Sequence, residues 1–354
     1  MRTPFLAFPG LALCLLAGTV LNADAQPAQP QPKVTHPVAD LLASSPSLVL
    51  DNGKLRAVVR PPDLEKGFYR GTRFDQAGVI TSLKAGDTEF YGPWFERTAP
   101  EVLDYVYVGR DLVAGPDSAT SGPVEEFAPL DFAPRPGLFV KIGVGVLRQP
   151  DTGAYDKYRH YEIVDAGKRE TRATDTSVTF SQSLSGAGYA YDYEKTISLI
   201  PGTRMMEIDH VLKNTGTKAI DTTVYDHNFL TLTPGNSGIR ISFPFSVKAD
   251  TAQAANPPAP DLMAIEGNSL VYLRAQKFKE RLSFPITGFG GTADDYDIRI
   301  TGPTGAGVQI RGDSPMTKIN IFSVTQVQAV EPYIAIHVPP GGEQRWRYLY
   351  DYTP

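Results

Sequence analysis

From Leu48 to the C-terminus, short runs of β-branched and aromatic residues recur, each closed by Gly, Pro, Asn or Asp. The runs are Leu55–Arg60, Val79–Leu83, Phe139–Leu147, Ser177–Leu184, Tyr189–Ile200, Met205–Leu212, Ile220–Leu232, Ile239–Phe243, Ile298–Ile300, Ile319–Val324 and Gln344–Tyr352. This is the spacing of strands and turns. Several runs alternate with period two, so that Tyr189, Tyr191 and Tyr193 share one face, as do Met206, Ile208, His210 and Leu212. No long stretch keeps helical spacing, and 32 Gly and 30 Pro would interrupt long helices while serving hairpins and sheet corners. The pattern predicts an all-β chain folded as a large antiparallel β-sandwich. The Pro-rich segment Asp250–Asp261 has similar strand patterns on both sides and reads as a long loop within one domain, residues 48–354.

The N-terminus reads differently. Arg2, an apolar stretch from Phe5 to Leu21 and Ala23-Asp24-Ala25 together form the pattern of a cleavable signal peptide, residues 1–25. The expectation is a secreted or periplasmic protein. Residues 26–47 begin as a Pro/Gln-rich leader, read as extended at least to Pro37. No later segment approaches the roughly 20 apolar residues of a bilayer span, so no membrane insertion is expected. Cys14 is the only cysteine and lies within the signal, which excludes disulfides, thiolate catalysis and thiolate metal sites from the mature chain. A net charge of −5 with no basic run argues against a nucleic-acid partner. A neutral or mildly polar ligand fits this balance better.

Two segments hold the candidate chemistry. Met205–Leu232 reads as a hairpin whose return strand has Tyr225, His227 and Phe229 on one face. An imidazole there can donate a proton, since its ordinary pKa of about 6.5 lies near working pH. Near the C-terminus, Glu331 precedes Pro332 and offers a carboxylate base beside a turn-forming residue. The final strand then places Gln344, Trp346, Tyr348, Tyr350 and Tyr352 on one face.

The hairpin resembles the aldose 1-epimerase (galactose mutarotase) family, in which such a strand returns to an Asn-His-x-x-Phe-x-Leu element bearing the general acid. Here that element is Asp226-His227-Asn228-Phe229-Leu230-Thr231-Leu232. The C-terminus is similar to the family's base-bearing segment, with Glu331 in the place of the base and Pro340-Gly341-Gly342-Glu343 in that of the later turn. Gly71-Thr72-Arg73-Phe74, followed by Gly78, resembles the region whose arginine binds sugar hydroxyls, which makes Arg73 the matching residue. The resemblance implies the mutarotase supersandwich, a mono- or oligosaccharide ligand, and a monomer or weak dimer. It also implies a mechanism without metal or organic cofactor, in which Glu331 takes the proton of the anomeric hydroxyl and His227 protonates the ring oxygen. Three departures accompany it. The Asn before the acid is Asp226, the family's second histidine is absent from its expected segment, and Gly122–Phe127 stands there with Glu125 and Glu126. His160 could supply the missing ring from elsewhere.

The simpler readings bear on the same residues. His210 reads as packing, His337 as a loop or edge residue, and His36 has no evident role. Arg73 could pair with Asp75 rather than hold a sugar. Glu125 and Glu126 are adjacent and point to opposite faces of an extended chain, so at most one can enter a given pocket. His227, Asp226 and Glu331 lack metal-ligand spacing. Besides an isomerase, a non-catalytic glycan-binding protein and a glycosidase or lyase using Glu331 with Glu125 or Glu126 remain open, because fold alone does not select chemistry.

Overall fold

The computed structural model describes residues 31–354, so the expected signal peptide and the first residues of the leader lie outside the described residues. The strand-and-turn pattern folds as predicted into stacked antiparallel sheets. The larger has ten strands, and next to one edge strand, Lys168–Ala173, come Ser177–Gly186, Tyr189–Leu199, Met205–Asn214 and Glu343–Thr353 in that order. Alternation dictates the burial. In Met205–Asn214 the residues Met206, Ile208, His210, Leu212 and Asn214 are buried and those between them are not. The second sheet has six strands, among them Leu282–Thr287, Met316–Val324, Val327–Val338, Ile220–Phe229 and, at its edge, Gly122–Phe127.

The two sheets bury one hydrophobic core between them. Met206, Ile208, Tyr348 and Tyr350 come from the ten-stranded sheet, and Val224, Ile319, Val330 and Ile334 from the six-stranded sheet. The outer face of the six-stranded sheet is covered in turn. Phe68, Phe74, Trp94, Tyr105 and Leu112 form a second core against Tyr225, Phe229, Phe322 and Ala329. No helix among the described residues is long and apolar enough to cross a membrane.

Several local expectations are corrected. Phe139–Leu147 is two strands, Gly137–Lys141 and Gly145–Gln149, because the chain reverses at Gly143 with φ +78°. Within the expected leader, His36–Pro37 pairs with Arg97–Thr98, and Val38–Ser44 is a helix whose Val38, Leu41 and Leu42 pack on the second core. Their i, i+3, i+4 spacing gives that helix one apolar side. Glu331 does not stand at a turn: it lies inside the twelve-residue strand Val327–Val338, as does His337. Pro123 and Pro332 masked the strands Gly122–Phe127 and Val327–Val338, since a proline within a run argues against an interior strand. Pro123 sits on an edge strand, where the missing N–H matters least, whereas Pro332 is in an interior strand and pairs with Ile319.

Candidate active site

Strand register brings the two candidate groups together. Tyr225 pairs with Tyr333, and Leu230 with Gln328, so between them His227 stands directly opposite Glu331 on the neighbouring antiparallel strand. On the far side Glu331 pairs with Asn320, and His227 with Val124. These side chains share the outer face of the six-stranded sheet. His227 Nε2 lies 3.0 Å from Glu331 Oε1, and Asn320 Nδ2 donates to Glu331 Oε2 at 3.0 Å. Both are nearly buried, with His227 3% and Glu331 6% exposed. Phe229 stacks on the imidazole at 3.7 Å between ring centroids, while Phe74 and Phe322 meet it edge-on.

One step along the same face lies a second charged group. Arg73 Nε donates to Glu126 Oε2 at 2.7 Å and Arg73 Nη2 to the Tyr225 hydroxyl at 2.9 Å, while that hydroxyl also bonds Glu126. Lys141 Nζ is 3.6 Å from the other Glu126 oxygen. Arg73 therefore pairs with Glu126 and not with Asp75. Its guanidinium packs over Phe74 at 4.3 Å and against Tyr158 at 5.1 Å.

Burial sets the protonation of these groups. Desolvation lowers the His227 pKa, and the nearby Glu331 charge only partly opposes it. Burial alone would raise Glu331, but His227, Lys157 and the Asn320 hydrogen bond outweigh it and hold the carboxyl below its ordinary range. Above the lowered His227 pKa the pair is a neutral imidazole donating Nε2–H to a carboxylate, and His227 Nδ1 has no hydrogen-bond partner among the described residues. Burial likewise opposes the charge of Glu126, yet Arg73 and Lys141 bring its pKa down to about 2. The space above His227 and Glu331 is a recess of about 30 Å³, bordered by Arg73, Trp94, Tyr158 and Phe322. That is room for about one water molecule.

The other sequence candidates lie elsewhere. Glu125 and Asp226 project from the opposite face of the six-stranded sheet, into the core between the two sheets. Glu125 bonds Lys195 and, at 2.8 Å, His210 Nε2, and burial opposes its charge while Lys195 and His210 pull its pKa to about 2. His210 also stacks on Trp346 at 4.7 Å, the packing role expected of it. Asp226 is fully buried, with its pKa pushed up to about 8 by burial and by the charge of Glu125. Tyr350 Oη contacts Asp226 Oδ2 and donates to Asn228 Oδ1 at 2.9 Å. One hydroxyl hydrogen cannot serve both acceptors, so a protonated Asp226 supplies the second. His160 is on neither face: its Nδ1 is 3.1 Å from Asp117 in the wall of another cleft. His337 is exposed and bonds Asp221.

Sequence reasoning missed Asn320, Tyr158, Lys157 and Arg281, which also border the recess. Asn320 left a signal, a polar residue between Ile319 and Ile321 in an apolar run. Tyr158 and Lys157 left none, because the irregular segment that bears them reaches the recess only through the tertiary fold. Among the described residues, no group of three or more His, Cys, Asp or Glu is placed to hold a metal ion.

No protein-family profile and no curated protein matches the sequence. Solved structures do match. A galactose mutarotase-like protein from Lactobacillus casei superposes with a TM-score of 0.52 at 11% identity, covering 87% of this chain and 100% of the other. A candidate aldose 1-epimerase from Escherichia coli K12 gives 0.51 at 15% identity, covering 87% and 99%. An aldose epimerase homologue from C. elegans gives 0.50 at 11% identity over the same shares. Together with the two stacked antiparallel sheets, these matches establish that the chain has the galactose mutarotase-like fold.

Proposed function

We propose that the protein is an exported aldose 1-epimerase-like isomerase acting on the anomeric centre of a sugar, with His227 as acid and Glu331 as base. The observation that supports this most is the facing of these two groups across adjacent strands, 3.0 Å apart on a covered sheet face. Glu331 accepts the proton of the anomeric hydroxyl. His227, protonated by uptake of one proton at Nδ1, donates from Nε2 to the ring oxygen. The C–O bond to the ring oxygen breaks, the chain rotates about the adjoining carbon–carbon bond, and the reverse transfers close the other anomer. Asn320 holds the carboxylate in place, and Arg73, kept by Glu126, binds a sugar hydroxyl.

A pyranose needs more room than the resting recess provides, since small-molecule pockets are typically about 300–1,000 Å³. Sugar binding therefore separates the pair and displaces the Tyr158 side chain. Because burial keeps His227 mostly neutral at neutral pH while Glu331 is ionised, kcat/KM should peak on the acid side of the ordinary histidine pKa, between the two lowered values.

Saturation-transfer NMR on equilibrated α and β anomers of a panel of aldoses tests this reading. Exchange should be faster with protein than with buffer, and His227→Gln or Glu331→Gln should slow the catalysed part by about 10²–10⁴-fold. No acceleration with any sugar at any pH from 4 to about 8 would remove the isomerase. The direct contact between acid and base in the resting site favours one second reading, a glycan-binding protein. Glycan binding with no change in anomer exchange would select it.

A further inference from the structure

On the other side of the wall formed by Pro116–Ala119 lies a larger cleft of about 620 Å³, within the range of small-molecule sites. Its lining includes the apolar side chains of Leu41 from the short helix, Leu64 and Phe68. The lining also includes His160, held by a buried partner. Asp117, fully buried, accepts hydrogen bonds from the backbone N–H and the hydroxyl of Thr72 on Oδ1, and its Oδ2 meets His160 Nδ1 at 3.1 Å. This fixes the ring with its proton on Nδ1 and leaves Nε2 without a partner among the described residues. The imidazole is half exposed, and Asp117 favours its charged form.

Arg70 borders the same cleft. Its one protein hydrogen bond goes to the Glu65 carbonyl at 2.9 Å, and it makes no ion pair among the described residues. It lies close enough to His160 for the two positive charges to oppose each other. The acid at the rim, Glu162, is already engaged by Arg148 at 2.7 Å. Asp117 balances the imidazole from behind, at Nδ1, while Arg70 borders the cleft with no direct carboxylate partner among the described residues.

We propose that this cleft is a second ligand site, separate from the His227–Glu331 recess, that binds a small organic carboxylate. The carboxylate sits between Arg70 and the His160 imidazole, and its apolar body lies against Leu41, Leu64 and Phe68. Arg70 supplies a planar pair of donors matched to two carboxylate oxygens, and Asp117 keeps His160 oriented as a donor from Nε2.

Calorimetric titration of the full chain with phenylacetate, and with its neutral isostere phenylacetamide, tests the proposal. Phenylacetate should bind saturably, phenylacetamide at least about tenfold more weakly, and Arg70→Gln and His160→Gln should each weaken phenylacetate by at least about tenfold, or about 1.4 kcal/mol. Both positions are exposed, and an unchanged thermal midpoint shows that each variant is folded. His227→Gln should leave phenylacetate affinity unchanged, which separates this site from the proposed isomerase centre. Equal affinity for the two compounds, insensitivity to both cleft variants, dependence on His227, or no phenylacetate binding up to about 10 mM would each overturn it.

Discussion

Adjacent residues on one strand do opposite work here. His227 meets Glu331 on the outer face of the six-stranded sheet, and Asp226, one position earlier, faces the inner core. Burial, and then the charge of Glu125, disfavour the ionised form of the inner carboxyl, and Lys195, already bound to Glu125, only partly opposes this. The consequence for stability has a definite sign. The Asp226 pKa is raised from about 4 when unfolded to about 8 when folded, so between those values the folded state holds a proton that the unfolded state has released. Stability from this group is complete below pH 4 and is lost as pH rises toward 8, by at most about 1.4 kcal/mol per pH unit. Asp226→Asn keeps a neutral side chain of similar shape beside Tyr350. Denaturant unfolding from pH 5 to about 8 should therefore show the variant gaining on the native protein as pH rises, and a constant difference would mean that Asp226 is ionised in the fold.

At the scale of strands and turns, Gly78 shows how closely the elements are fitted. It lies just before the Val79–Ala85 strand with φ +74°, and a Cβ there would come within 2.7 Å of Ile197 Cδ1 and 3.0 Å of Phe180 Cε2. Both neighbours belong to the ten-stranded sheet. Gly78→Ala should cost about 1–3 kcal/mol, from backbone strain and displaced core side chains together, measurable as a lower urea midpoint with unchanged m-value. The same closeness explains what was legible in the sequence. Strands with clean alternation, such as Met205–Asn214, could be read with their buried faces, and His210 with its packing role. Lys195 was legible in principle, since it shares the face of Tyr189, Tyr191 and Tyr193 in an inward series. The strands Gly122–Phe127 and Val327–Val338 were obscured because each contains a proline, and only pairing with the Ile220–Phe229 strand reveals them. The meeting of His227 with Glu331 could be expected from family resemblance. Its partner Asn320, and the cover provided by Tyr158, depend on register and on an irregular segment that no local pattern specifies.

For the molecule as a whole, the two sheets are joined by charge as well as by apolar packing. Glu125 comes from the six-stranded sheet, while Lys195 and His210 come from the ten-stranded sheet. Lys195 Nζ also donates to the Ala77 carbonyl at 3.0 Å and lies 4.0 Å from Asp75 Oδ2. All four ionisable side chains are fully buried or nearly so. Such a cluster adds little net stability over a well-packed apolar core of the same volume, because desolvation offsets most of the attraction. Removing one member is another matter, since it leaves the others in a medium that cannot solvate them. Lys195→Met should lose about 3–5 kcal/mol. Adding Glu125→Gln removes the stranded carboxylate and should restore part of that loss, giving a coupling of about 0.5–3 kcal/mol in a double-mutant cycle. If the two losses simply add, the contact between Glu125 and Lys195 contributes nothing to holding the two sheets together.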